Sequence, residues 1–351
     1  EPSWRMIGQS VRGASHYRSG QPNQDALSCS PSSQSGPPLI LAVSDGHGSA
    51  KSFRSDRGSR YAVTVATELM RELVEGRRPS TNLSAVKRVS EERLPQELVR
   101  RWQEAVDADL TAHPFGEEAL RRLAEERGER SRDEVVKNPR LAYGATVLGV
   151  LVERDFILYL QLGDGDILTV SDQGEVVRPL ARDQRLIANE TTSLCMDRAW
   201  REIRMRFQVR HGGPPALILA ATDGYANSFV NDAAFLKVGS DILAILCQEG
   251  AESVQDNLEM WLREASEAGS GDDITLGILY QRHVVAAMKP EGAAVEQDAS
   301  GGEGSAISET RVGAELPVPD GADVSAESAP KVDAVDAVLS GPSQNDSRRN
   351  E

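Results

Sequence analysis

From Leu39 to Val43 the chain is apolar without a break, and the run stops abruptly at Ser44-Asp45-Gly46-His47-Gly48. An apolar stretch with no polar alternation predicts a strand covered on both faces, and the glycines let the backbone turn at its end. The pattern recurs. Tyr159 to Leu162 runs into Gly163-Asp164-Gly165-Asp166, and Leu217 to Ala221 runs into Thr222-Asp223-Gly224. In reverse order, Gly271-Asp272-Asp273 precedes the apolar Ile274 to Leu279. Gly144 to Val152 and Phe156 to Leu162 predict two more strands around a Glu153-Arg154-Asp155 turn, and Glu202 to Arg210 alternates strictly, as one wet face requires.

Helical spacing appears at Ala62, Val65, Ala66, Leu69 and Leu73 before Pro79 interrupts it. A second stripe, Leu94, Leu98, Trp102, Val106 and Leu110, predicts a helix with Pro95 in its first turn. Two more helices are predicted at Ala233 to Cys247 and Ser253 to Ala268, the latter burying Val254, Leu258, Trp261, Leu262 and Ala265. The N-terminal segment reads as a strand, a polar turn and a second strand start, with a Ser/Pro/Gly linker from Ser30 to Pro38. Gly116 to Asn138 is dense in mixed charge and reads as an exposed helix or mobile insertion, and Ala181 to Trp200 as a loop or flap near the strand ends. Residues 286–351 hold no Phe, Tyr or Trp and one Ile, so they cannot bury enough apolar surface to offset chain entropy. The expected organisation is a domain at 1–285 and a disordered acidic Ala/Gly/Ser/Pro-rich tail at 286–351.

Composition narrows the function. Lys and Arg number 39 against 54 Asp and Glu, a formal charge of −15, which disfavours nucleic acid and anionic membranes as partners. Cys29, Cys195 and Cys247 are scattered and odd in number, so no disulfide framework or zinc knuckle is indicated. No apolar run approaches the ~20 residues that span a bilayer, and no signal-peptide stretch opens the chain, which begins at Glu1 as a trimmed product could. A cytoplasmic protein is expected.

Taken singly, an Asp-Gly after an apolar run is a turn. Four strand ends carrying aspartate beside glycine point further, because converging carboxylates repel unless a cation neutralises them, and all-oxygen ligands suit Mg²⁺ or Mn²⁺. The expectation is an acidic centre for two or more metal ions.

Asn23-Gln24-Asp25, DGHG at 45–48, GATVLGVLV at 144–152, LGDGD at 162–166, ATDG at 221–224 and GDDITL at 271–276 together resemble the metal-dependent protein phosphatases of the protein phosphatase 2C type. The resemblance covers about residues 6–282 and points to the bacterial branch whose first motif reads SH, a few residues, then QD. It implies an α+β fold, a four-layer α-β-β-α sandwich of two antiparallel sheets flanked by helix pairs. It implies two Mn²⁺ or Mg²⁺ ions and room for a third. Asp45, Asp223 and Asp272 match the ligands of one ion, Asp45 with the Gly46 carbonyl those of another, and Asp164 with Asp223 those of the third. His47 falls on the general acid, with a metal-bridged water as nucleophile. Asp273 stands where many relatives have Asn.

Two departures stand out. Gln24 replaces the usual Glu of the first motif, beside Asp25, and offers a carbonyl but no charge. The phosphate-binding Arg, five places before Asp25, falls on Gly20, leaving Arg18 or His16 as substitutes; Arg18 also reads as a solvated turn residue and His16 as a structural hydrogen-bonding group. The resemblance implies a phosphoserine and phosphothreonine protein phosphatase that opposes a bacterial Ser/Thr kinase. Gln24 and the missing Arg keep open a weakly active binding or regulatory module, and a small-molecule phosphatase is a third reading.

Overall fold

The computed structural model describes residues 3–75, 82–182, 192–210 and 213–287. Pro79, residues 183–191 of the expected flap and all of the tail beyond residue 287 lie outside the described residues. One sheet has six strands. In chain order they are β1 (Trp4–Val11), β3 (Ser35–Gly36), β7 (Asp166–Val170), β8 (Val176–Val177), β10 (Leu217–Ala221) and β11 (Ile274–Gln281), arranged β3-β1-β11-β10-β7-β8. The other has five, β2 (Ala26–Ser30), β4 (Leu39–Ser44), β5 (Val147–Val152), β6 (Phe156–Leu162) and β9 (Arg204–Val209), in the order β2-β4-β5-β6-β9. Every pairing in both sheets is antiparallel.

The unbroken apolar runs are explained by what covers each face. In β4, Leu39, Leu41 and Val43 pack between the sheets with Trp4, Val150, Tyr159 and Ile218. The alternate residues Ile40 and Ala42 face a helix layer with Val63, Met70 and Trp102. Period two is therefore kept, with two apolar environments instead of one wet and one dry face. The outer layer on β4 and β5 is α2 (Ser55–Val74) and α3 (Leu83–Ala112). On the other sheet α7 (Asp232–Gln248) and α8 (Ala251–Ala268) bury Val238, Ile242, Leu258 and Trp261 against Leu217, Leu219 and Ile278. The architecture is the four-layer sandwich expected from the sequence.

Local differences have tertiary causes. The polar turn after β1 contains a short helix, α1 (Ala14–Ser19), too brief to show periodicity and held by Ser15, whose amide and hydroxyl both donate to the Gly271 carbonyl at 2.8 and 2.6 Å. The linker after β2 crosses to the other sheet, where β3 pairs with Trp4 and Arg5. Pro95 is not in a first turn: α3 starts at Leu83, where Asn82 accepts from the amides of Ser84 and Ala85, and Pro95 sits in the helix interior, removing one rung of the ladder. The charged insertion forms α4 (Glu117–Arg127) and α5 (Glu129–Lys137), which bury Leu123 and Val135. Lys51 Nζ pairs with Glu134 at 3.0 Å, tying α5 to the loop after His47. A helical turn, α6 (Asp223–Ala226), follows β10, and α9 (Arg282–Ala287) follows β11.

One glycine shows how closely the helix layer docks. A Cβ at Gly58 in α2 would lie 1.9 Å from the Tyr143 carbonyl oxygen, and Trp102 Nε1 donates to the Gly58 carbonyl at 2.9 Å. Gly58→Ala gains up to ~1 kcal/mol of helix propensity but overpacks against rigid backbone, a cost of ~3 kcal/mol or more. The expected net result is a melting temperature lower by roughly 4–8 °C in thermal denaturation; an unchanged midpoint would show that this contact yields freely.

Strand direction then places the acids. β4 and β6 both pair antiparallel with β5, so their C-terminal ends point the same way. The end of β10 lies beside the start of β11. The sequence positions of Asp45, Asp164, Asp223 and Asp272 thus fall at four element ends that the two sheets turn toward one cleft.

Candidate metal centre

Asp45, Asp164 and Asp223 each present a carboxylate oxygen, all within 4.8 Å of one another. Asp45 is fixed from both sides by Thr146: its amide donates to Thr146 Oγ1 at 3.0 Å, and the Thr146 amide donates to the Asp45 carbonyl at 2.8 Å. Gly46 forms a bridge to Ala145, and a Cβ on it would lie 2.6 Å from the Gln24 carbonyl, so only glycine fits. The Gly163 amide before Asp164 donates to Thr192 Oγ1 at 3.0 Å, and Asn227 Nδ2 donates to Asp223 Oδ2 at 2.8 Å.

Asp25 joins this group more closely than its motif suggests. Ala26 opposes Ser44 at the end of the β2–β4 ladder, which brings Asp25 to the same end of the sheet as Asp45, and the charge of Asp25 acts on Asp45. Thr222 Oγ1 donates to Asp25 Oδ2 at 2.8 Å, while buried Oδ1, like buried Gln24 Oε1, meets no donor among the described residues. Burial, with the charge of Asp273 next, pushes the Asp25 carboxyl well above its ordinary range. Burial does the same to Asp45, reinforced by Asp223, Asp25, Asp272 and Asp164. Such a cluster is relieved by divalent cations, and its all-oxygen donors, including the two orphaned atoms, fit Mn²⁺ or Mg²⁺.

Asp272 stands outside the trio within 4.8 Å, yet its charge acts on Asp45. Asp273 turns away from the cleft and accepts the amides of Gly13 and Gln24, both at 2.6 Å, with His16 Nδ1 2.9 Å from Oδ1. Two amides donate to it and the His16 imidazole lies beside it as an ion-pair partner, so a carboxylate that accepts at both oxygens suits the position better than Asn. His16 is buried, and its pairing with Asp273, the largest effect, raises its pKa against the cost of burial. Arg18 remains at the exposed rim, with Nη2 3.9 Å from where a Gly271 Cβ would be. Gly20 caps α1 at φ +76°, a left-handed conformation that strains any Arg placed there.

His47 is buried, and its amide donates to the Gly144 carbonyl at 3.0 Å. Its imidazole lies over Gly144: a Cβ there would be 2.4 Å from His47 Cδ2, with Ser52 Oγ at 3.2 Å and Cys195 Sγ at 3.4 Å. Sequence reasoning missed Thr146, Thr222 and this seat for His47. The available signal was a threonine beside the acids, at Thr222-Asp223 and within GATV, where an apolar strand would otherwise continue.

The sequence profile described as protein phosphatase 2C matches residues 12–263 of the 351. No curated protein matches the chain in sequence. Among solved structures, the chain is similar to the Mycobacterium tuberculosis serine/threonine phosphatase PstP, at 17% identity and a TM-score of 0.48 over 80% of this chain and 99% of that one. The catalytic domain of PstP in complex with two manganese ions gives 17% identity and a TM-score of 0.48, over 79% and 97% of the two chains. A Staphylococcus aureus serine/threonine phosphatase gives 13% and 0.45, over 80% and 95%. The profile spans well over half the chain and takes in the strand-end acids from Asp25 through Asp223: the chain belongs to the protein phosphatase 2C family of serine/threonine protein phosphatases.

Proposed function

We propose that this protein hydrolyses phosphoserine and phosphothreonine in phosphoproteins, using two Mn²⁺ or Mg²⁺ ions and accommodating a third, and that it opposes a Ser/Thr kinase in the cytoplasm. The observation that carries this is the convergence of Asp45, Asp164 and Asp223 from three strand ends within 4.8 Å. Asp45, Asp223 and Asp272 would hold one ion, Asp45 and the Gly46 carbonyl the second, and Asp164 with Asp223 the third. Divalent ions supply, when bound, a water of lowered pKa and positive charge against the phosphate oxygens.

The chain's own groups do the rest. Arg18, at the rim beside Gly271, would grip the phosphate with paired donors. His47 gives its proton to the departing serine or threonine oxygen as water oxygen bonds to phosphorus and the phosphorus–ester bond breaks, leaving free hydroxyl and phosphate. Residues 183–194 and the α4–α5 insertion would choose among substrates. Among the described residues no helix is long and apolar enough to cross a membrane. Purified protein with Mn²⁺ should release phosphate from a phosphothreonine peptide in preference to sugar phosphates or nucleotides; the reverse preference would make it a small-molecule phosphatase.

Gln24 favours a second reading, a binding module with weak turnover, because its buried carbonyl adds no charge to the second site. Gln24→Glu is expected to tighten Mn²⁺ binding about tenfold in isothermal titration calorimetry, the scale of such changes beside a metal. Unchanged affinity would place Gln24 away from the ions.

A further inference from the structure

Segment 13–16 is pressed onto segment 271–273 more tightly than a surface turn requires. A Cβ at Gly13 would lie 2.3 Å from the Asp272 carbonyl carbon. The Ala14 amide donates to Ser266 Oγ at 3.1 Å, and Ser266 Oγ in turn donates to the Asp272 carbonyl at 2.8 Å. Ser15 holds Gly271 through two bonds. At the centre of this contact His16, 8% exposed, lies between two consecutive carboxylates: Nδ1 is 2.9 Å from Asp273 Oδ1 and Nε2 is 3.8 Å from Asp272 Oδ1. The first carboxylate is anchored, since Asp273 also accepts the amides of Gly13 and Gln24. The second is 38% exposed and faces the cleft, its Oδ1 also accepting the Asp273 amide at 2.9 Å.

We propose that His16 is a positioning residue for Asp272. The imidazole pairs with Asp273 at 2.9 Å on one edge, and its far edge, 3.8 Å from Asp272 Oδ1, together with the Asp273 amide draws that oxygen toward the 13–16 segment and thereby sets the direction in which the carboxylate meets an ion. This rests on the reading of Asp272 as a metal ligand. Groups held behind a ligand commonly govern metal affinity; here the contact to Asp272 is an ion pair at 3.8 Å, longer than a hydrogen bond, and the direct bond to Oδ1 is from the Asp273 amide. The role also accounts for why a histidine 256 residues from Asp272 is buried beside it.

Two substitutions separate orientation from packing. His16→Asn keeps a donor at the Nδ1 position for Asp273 and removes the edge that faces Asp272. His16→Gln places its amide near the Nε2 position and gives up the anchor on Asp273. Mn²⁺ binding by calorimetry and thermal midpoints in EDTA are measured on the full chain for both, with Asp272→Asn alongside. The expected result is crossed: His16→Asn weakens binding of one Mn²⁺ by about 10- to 100-fold with an EDTA midpoint near wild type, whereas His16→Gln lowers the midpoint and keeps more of the affinity. Wild-type affinity in His16→Asn with impaired Asp272→Asn would overturn the role of His16 alone, as would affinities that follow the midpoints. Wild-type affinity in Asp272→Asn would remove that residue from the ligand set, and the proposal with it.

Discussion

Asp45→Asn should abolish turnover and, in the metal-free protein, raise the melting temperature at neutral pH. The two effects have one origin. Asp45 is half-buried at the end of β4, acted on by the charge of Asp25, with carboxylate oxygens of Asp164 and Asp223 within 4.8 Å. Losing one charge from a shared ligand removes several kcal/mol of cation-borne stabilisation of the transition state, or about 10³-fold in rate. Without metal the same charge is a liability. Burial first, and then four neighbouring carboxylates, raise its pKa well above the ordinary 3.8. A carboxyl that holds its proton more tightly folded than unfolded loses stability as pH rises from about 4 through the folded value. The amide escapes that loss, so its advantage in midpoint should grow as pH rises above about 4 and vanish below it. A midpoint lowered at neutral pH in EDTA would contradict the crowding of charge on which the metal assignment rests.

His47→Ala has the second largest expected effect, and its size should depend on the leaving group. A serine or threonine alkoxide needs a proton as it departs, and a general acid supplies typically ~10²–10⁴ in rate. A p-nitrophenolate departs unaided, so the same variant should lose less than about tenfold on para-nitrophenyl phosphate. The seat over Gly144, bordered by Ser52 and Cys195, holds the ring in one place two residues beyond Asp45. Equal losses on both substrates would remove the acid role and leave His47 as a packing residue.

The strand ends were legible because they are written locally. An apolar run closed by Asp-Gly gives both the strand and the acid, and three such runs with Gly271-Asp272 before a fourth predict a meeting point without any knowledge of topology. The alternation hidden inside β4, with Leu39, Leu41 and Val43 on one side and Ile40 and Ala42 on the other, could not be read, because both sides are apolar. Helix α1 and the interior placement of Pro95 were missed for the opposite reason: contacts with Gly271 and the cap at Asn82 override weak local signals. The roles of Asp273 and His16 were least legible. Each is set by groups more than 240 residues away, which the β1–β11 ladder and Ser266 of α8 help to bring together. Gly20, which stands where the family's phosphate-binding Arg is expected, is explained by the left-handed cap of α1.

The most direct measurement is phosphate release from a phosphothreonine peptide by EDTA-stripped protein titrated with Mn²⁺, with Asp45→Asn as control. Turnover that is absent without metal, rises with Mn²⁺ and is lost in the variant is the expected result. Turnover that persists in EDTA, or Mn²⁺ binding by the wild type with no phosphate release, would contradict the central claim that these strand-end aspartates form the metal centre of a working phosphatase.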